Sequence, residues 1–213
     1  MSGHTVIIPC LYYGTIQAYA HIVNAGKVII EVNDHYSRRT YRNRTTILAA
    51  HGPMDLTVPV IKPKGKTRTK DIKISYDTNW QKNHWKSIES AYNNSPFFEY
   101  YKDDLEPVYR KQWKYLADLN IRLLELIIEM TETEALTEQS NEYIIPDPQK
   151  HTDLREVIHP KKDYRIFDKK FSPAPYRQVF SGSLDFVPNL SILDLIFNKG
   201  PETYSYLKNI IED

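Results

Sequence analysis

Two short runs rich in β-branched residues, Thr5 to Ile8 and Lys27 to Val32, bracket a segment whose apolar positions recur at three and four residues. Nothing else in the chain constrains the fold as tightly. The first run is closed by Pro9 and shows no polar alternation, so it reads as a strand covered on both faces. Tyr13, Ile16, Ala20 and Val23 then mark one face of a helix over Tyr13 to Ala25, which Gly26 is expected to end in a left-handed conformation. Val28, Ile29 and Ile30 stand in a row, again as in a buried strand. Strand, helix and strand at this spacing make a βαβ unit, with parallel strands and a right-handed crossover. The expected class is α/β, a mixed sheet opened by this parallel unit.

The segment leaving the second strand reads Asp34-His-Tyr-Ser-Arg-Arg-Thr-Tyr-Arg-Asn-Arg44. In open α/β sheets ligands gather beyond the carboxyl ends of the strands, where this loop is expected to lie. Arg38, Arg39, Arg42 and Arg44 each carry a planar fork of donors that matches two oxygens of a phosphate or carboxylate. Tyr36, Tyr41 and Asn43 interleave with them and add ring faces, hydroxyls and an amide. Between His35 and Ser75 ten Lys and Arg face two acids, a local excess of eight in a chain of net charge +1. The bland alternative is a solvated strand edge pairing with the acidic remainder. Because the basic charge is confined to one segment, a nucleic-acid partner is not expected.

Beyond this loop, Thr45 to Ala50 and Leu56 to Val60 are expected to form a hairpin about His51-Gly-Pro-Met-Asp55, with Pro59 keeping the second arm at an edge. Lys62 to Lys70 is a basic loop, read as mobile and able to close over an anion. Asp71 to Ser75 alternates Ile72 and Ile74 as a last strand. A helix capped by Asp77 or Thr78 runs to about Asn94, another covers Phe97 to Gln112 and is open to interruption at Pro107, and a third covers Lys114 to Met130. Thr131 to Lys162 is polar and aperiodic, the mark of a functional or mobile stretch. Tyr176 to Phe180 reads as extended, Leu190 to Phe197 as a short helix capped by Asn189 or Ser191, and Tyr204 to Ile211 as the closing helix. Asp194 suits the dipole of the short helix. One domain over 1–213 is expected, sheet-rich over 1–76, with a mostly helical remainder, 77–213, packed on it.

The lone Cys10 excludes an internal disulfide and reads as a small buried hydrophobe. The N-terminus lacks a basic region followed by a long apolar run, and no window of the sequence approaches eighteen uninterrupted apolar residues, so no membrane span and a cytoplasmic location are expected. The seven histidines lack metal-ligand spacing, and neither a Rossmann glycine pattern nor Gly-x-Ser-x-Gly occurs, so no metal and no cofactor are expected. The proton-transfer candidates are Glu31 and Asp34, which bracket the end of the second strand, and His84. For each carboxylate the alternative is a salt bridge; for His84, on an apolar helix with Trp80, it is a hydrogen-bonded core residue. His159 and Lys161, near Asp153, form a second polar constellation suited to a binding loop.

Tyr36-Ser-Arg-Arg-Thr-Tyr-Arg-Asn-Arg44, Leu56-Thr-Val-Pro-Val60, Trp80-x3-His84-x3-Ile88-x3-Tyr92-x3-Pro96-x-Phe98 and Asn189-Leu-Ser-Ile-Leu-Asp-Leu-Ile-Phe-Asn-x-Gly-Pro201 together resemble the WbqC-like family. That resemblance implies a place in bacterial O-antigen, lipopolysaccharide or related surface-polysaccharide biosynthesis. It also implies a role in transferring glycine, another amino acid or an acyl group, among partner enzymes of that assembly. Joined to the arginines, it points to a transferase with a phosphorylated or nucleotide-linked donor; the alternative is a non-catalytic scaffold. Family members often open with His-Gln-Pro where this chain has Ile7-Ile8-Pro9. Their paired aspartates appear here only as Glu31 and Asn33-Asp34.

Overall fold

The structure, a computed structural model, describes residues 5–212. Its centre is a four-stranded, all-parallel sheet built from β1 (Thr5–Pro9), β2 (Lys27–Glu31), β5 (Leu136–Gln139) and β6 (His151–Asp153), in the order β5-β2-β1-β6. The opening βαβ unit is present as expected: β1 and β2 pair in register from Thr5 with Lys27 to Pro9 with Glu31, joined by α1 (Ile16–Asn24). The antiparallel pair β3 (Arg44–Ala49) and β4 (Gly52–Thr57) forms a two-stranded sheet of its own.

The helical half consists of α2 (Trp80–Tyr92), α3 (Phe98–Arg110), α4 (Leu116–Met130), α5 (Tyr164–Phe167), α6 (Ile192–Lys199) and α7 (Thr203–Lys208). One apolar cluster joins Val6, Ile8, Val28 and Ile30 of the sheet to Leu119, Leu123 and Ile127 of α4 and to Leu193, Leu195, Ile196 and Phe197 of α6. Each such side chain contributes about 1.5–3 kcal/mol by leaving water, so this cluster fixes the helices against the sheet. Pro107 does not interrupt α3. Ser191 caps α6, its hydroxyl accepting from the Leu193 amide, while Asn189 supports the start of α1, its Oδ1 accepting from the Gln17 amide at 3.0 Å beside the Thr15 cap.

Several expectations are corrected. Gly26 does not end α1; Ala25 turns extended with φ −88° and ψ 147°, and Gly26 is absent from the left-handed region. The hairpin turns at Ala50-His51, not His51 to Asp55, because Gly52 at φ +112° opens the second strand directly. Asp71 to Ser75 joins no ladder: a 3-10 turn over Thr69–Asp71 leads into isolated bridges of Lys73 with Tyr115 and of Ile74 with Val60. Tyr176 to Phe180 likewise pairs with no strand. The aperiodic stretch from Thr131 to Lys162 contains β5 and β6, the two outer strands of the main sheet.

Gly200, between α6 and α7, sits at φ +53°, and a Cβ built there would lie 2.5 Å from the Phe97 ring. Gly200→Ala therefore carries both backbone strain and a clash, and should cost about 1–3 kcal/mol. Urea denaturation should show a lower midpoint at unchanged slope.

Candidate functional site

The carboxyl ends of β2 and β6, which flank β1, open on a cavity of about 460 Å³. After β2 the chain supplies Asn33, Asp34, His35, Ser37 and Arg42; after β6 it supplies Asp153, Arg155 and Glu156; Arg68 and Tyr143 complete the wall. It lies where the sequence places the arginine loop. Its foundation is Glu31, the last residue of β2 and fully buried. One carboxylate oxygen accepts from the Asn33 amide at 2.8 Å and the Ser140 hydroxyl at 2.7 Å. The other accepts from the Ile144 amide at 2.9 Å and Arg155 Nη1 at 3.1 Å. Four donors fill the in-plane positions of the two oxygens, so Glu31 serves as a strut, the salt-bridge alternative raised above.

Arg155, also buried, places its Nε and Nη2 on Asp153 at 2.9 and 2.7 Å, so each of its three guanidinium nitrogens donates to a protein carboxylate. Sequence reasoning passed over Arg155 because its segment has no period; Asp153-Leu-Arg155 after a strand was the available signal. Asp153 lies below the usual carboxylate range: partial burial pushes it up, but the hydrogen bonds and charge of Arg155 outweigh that.

Of the four arginines in the loop, Arg42 alone lines the cavity. It is buried, with Nη2 paired to Asp34, whose other oxygen takes the Thr69 hydroxyl at 2.5 Å. Its Nε is buried without a partner. Arg68, on the basic loop, is largely exposed and holds only a 3.5 Å contact to Asn33 Oδ1. Arg38 and Arg39 are exposed, Arg39 at φ +60°, and Arg44 pairs with Asp55 at 3.2 Å across the hairpin. Burial raises the Tyr36 and Tyr41 phenols to about 12, so both stay protonated. Asn43 donates to the Val58 carbonyl and staples the loop to the residue that follows β4.

The remaining candidates fall into two places. His159 is half-buried, and its Nδ1 accepts from the Lys161 amide at 3.1 Å. Burial lowers its pKa, the Glu156 carboxylate opposes, and Lys162, Lys161 and Arg42 lower it further, which puts it within electrostatic reach of the cavity. Lys161 itself is exposed. His84 lies elsewhere, in a buried cluster of rings where Nδ1 meets the Tyr12 hydroxyl at 2.9 Å and Trp80 packs edge-on. Trp80 is buried with its indole N–H unpaired. Tyr12 also meets the Tyr109 hydroxyl, which donates to Tyr13.

A model of the WbqC-like protein family matches residues 11–164, a span that contains every residue lining the cavity. The chain belongs to the WbqC-like protein family. This WbqC-like chain is 31% identical over 204 residues to the uncharacterised protein Rv1507c of Mycobacterium tuberculosis, covering 84% of this chain and 87% of that one. No solved structure matches it. No helix among the described residues is long and apolar enough to cross a membrane, and no group of three or more potential metal ligands occurs among them.

Two outcomes follow from this geometry. Glu31→Gln removes the charge that balances buried Arg155 and should cost about 3 kcal/mol in a urea melt. Burial lowers the His84 pKa from 6.5 to about 4, against a hydrogen bond to the Thr57 carbonyl. The folded chain then binds fewer protons than the unfolded one between those values. Stability from a neutral His84 is whole above pH 6.5 and falls as pH drops toward 4, by up to about 3 kcal/mol. Urea midpoints at pH 7.5 and 4.5 should diverge more in the native chain than in His84→Gln.

Proposed function

We propose that this protein binds a phosphorylated or nucleotide-linked small molecule in the cavity at the carboxyl ends of β2 and β6. We further propose that it acts as a transferase of an acyl or aminoacyl group, such as glycine, in the making of bacterial surface polysaccharide such as O-antigen. The observation that carries the binding step is the state of two guanidiniums facing that cavity. Arg68 has a single 3.5 Å contact, and Arg42 retains an unpartnered Nε beside its ion pair with Asp34. The open fork of Arg68 on a concave surface favours an anion and suits a phosphate, and Arg42, whose unpartnered Nε is enclosed behind the wall, adds its charge beside it. The transfer step rests on family membership and on the resemblance described above.

In this reading Asp34 orients Arg42, while Glu31 and Asp153 hold Arg155 as part of the wall. The proton acceptor for an attacking amine or hydroxyl is then His35 or Glu156. Both line the cavity, and neither side chain makes a hydrogen bond or ion pair to another described residue. The second reading, a scaffold protein docking polysaccharide-forming enzymes, draws on large apolar side chains left in water, among them Ile145 at 83% and Tyr100 at 74% exposure.

Calorimetric titration of the full chain with UDP-glucose tests the binding step. Arg68→Ala, at an exposed position, should leave the melting temperature unchanged and weaken binding about 10–100-fold, the worth of one charge-assisted contact. Equal affinity in the variant, or none in the parent for any nucleotide-sugar or aminoacyl phosphate, sinks the proposal. A stable co-purifying enzyme without turnover supports the scaffold reading.

A further inference from the structure

A second cavity, of about 600 Å³, lies on the other side of β6, against the last turn of α1 and the segment following α5. His21 and Asp168 face each other on its wall, both 7% exposed, with Nε2 and Oδ2 2.7 Å apart. Gln17, one turn earlier on α1, donates its amide to the same oxygen at 2.7 Å and is itself held by Asn189. Asp168 lies below the usual carboxylate range, because the hydrogen bonds and charge of its partners overcome the effect of burial. An ionised carboxylate only accepts, so His21 Nε2 carries the donated proton. Nδ1 makes no hydrogen bond to any described residue and is not among the buried, unpartnered atoms. A strut between α1 and the Asp168 segment needs only the Nε2 contact. In the neutral form, an imidazole that donates from Nε2 to a carboxylate leaves Nδ1 as an acceptor, and His21 lines this cavity.

The rest of the wall indicates what that acceptor receives. Lys169 and Lys170 stand beside the dyad, and neither ammonium pairs with an acid among the described residues. Phe167 is 52% exposed at the same cavity, with Lys162 Nζ 5.2 Å from its ring centroid. An aromatic face, a fixed hydrogen-bond acceptor and ammonium groups match a sugar ring, a hydroxyl and a phosphate respectively.

We propose that this cavity is a second small-molecule site, separate from the arginine cavity, which takes a hydroxylated phosphate ester such as a sugar phosphate. A hydroxyl of the ligand donates to His21 Nδ1, the ring lies on Phe167, and the phosphate meets Lys169 and Lys170. The two sites share one residue, since Asp153 lines both. Asp168 falls beyond the span matched by the family model, so this site combines the family's common part with a segment outside it.

Long-range proton–nitrogen spectra of the histidine rings, recorded on the full chain titrated with glucose 1-phosphate, read the site directly. The His21 ring nitrogens should shift saturably at millimolar ligand, with Nδ1 moving more than Nε2. The double variant Lys169→Ala, Lys170→Ala alters exposed side chains and should weaken that response at least tenfold, whereas Arg68→Ala should leave it intact. Absence of a His21 response overturns the proposal, as does a response indifferent to the lysines. A response lost in Arg68→Ala overturns it too, because the ligand would then be acting from the arginine cavity. None of these results depends on whether UDP-glucose binds, so the two sites stand or fall separately.

Discussion

The carboxylate of Glu31 is the contact on which the carboxyl edge of the sheet depends. Removing such a charge from water is costly, and an incomplete set of partners would make the edge unstable. Here the donors come from three separate parts of the chain: the residue just past β2, the loop leaving β5, and the loop leaving β6. Each loop is thereby fixed to the others at the point where it leaves the sheet. Arg155 carries the connection on to Asp153, and Asn33 turns its amide back to Ser140. The cavity above inherits its shape from this knot, since backbone bonds within the strands end before reaching it.

A parallel sheet usually offers an anion the first turn of the helix that follows β1, where free amides converge. That position is closed in this protein. The Ile16 amide donates to the Leu190 carbonyl, Gln17 to Asn189 and Ala18 to Thr15. Tyr13, at φ +60°, and Gly14, at φ +72°, turn the chain sharply just before it, and the Tyr13 ring is buried. The same helix terminus meets that of α6 through a bridge between Thr15 and Ser191. With the customary phosphate position taken up by the protein's own acceptors, open donors are found instead above β2 and β6.

What the sequence revealed and what it hid divide along a physical line. β1 and β2 are interior strands, buried on both faces, so their side chains had to be apolar and the pattern announced them. β5 reads Leu-Thr-Glu-Gln and β6 His-Thr-Asp; as outer strands they are held by backbone pairing to β2 and β1, which leaves no mark on side-chain polarity. Arg42 was legible because it sits in a dense run of like residues. Arg68 belongs to the basic loop read as able to close over an anion, and main-chain bonds to the exit of β2 bring it to the cavity, whereas Arg155 arrives from a distant segment through the sheet order alone. His84 showed its apolar helix face in the spacing from Trp80 to Ile88, which is where the structure buries it.

The end of the basic loop is sewn to the exit of β2 by main-chain bonds: Tyr36 to Thr67, Thr69 to Asp34, and Lys70 to Val32. The Thr69 hydroxyl adds a fourth stitch at Asp34. That segment is a fixed rim and not a swinging flap. The anion proposed above would therefore have no door to wait for there. Under the binding proposed above, its arrival would be governed by the field of the surrounding lysines and arginines, and ions in the medium, which shorten the reach of that field, would slow capture more than they loosen what is already held.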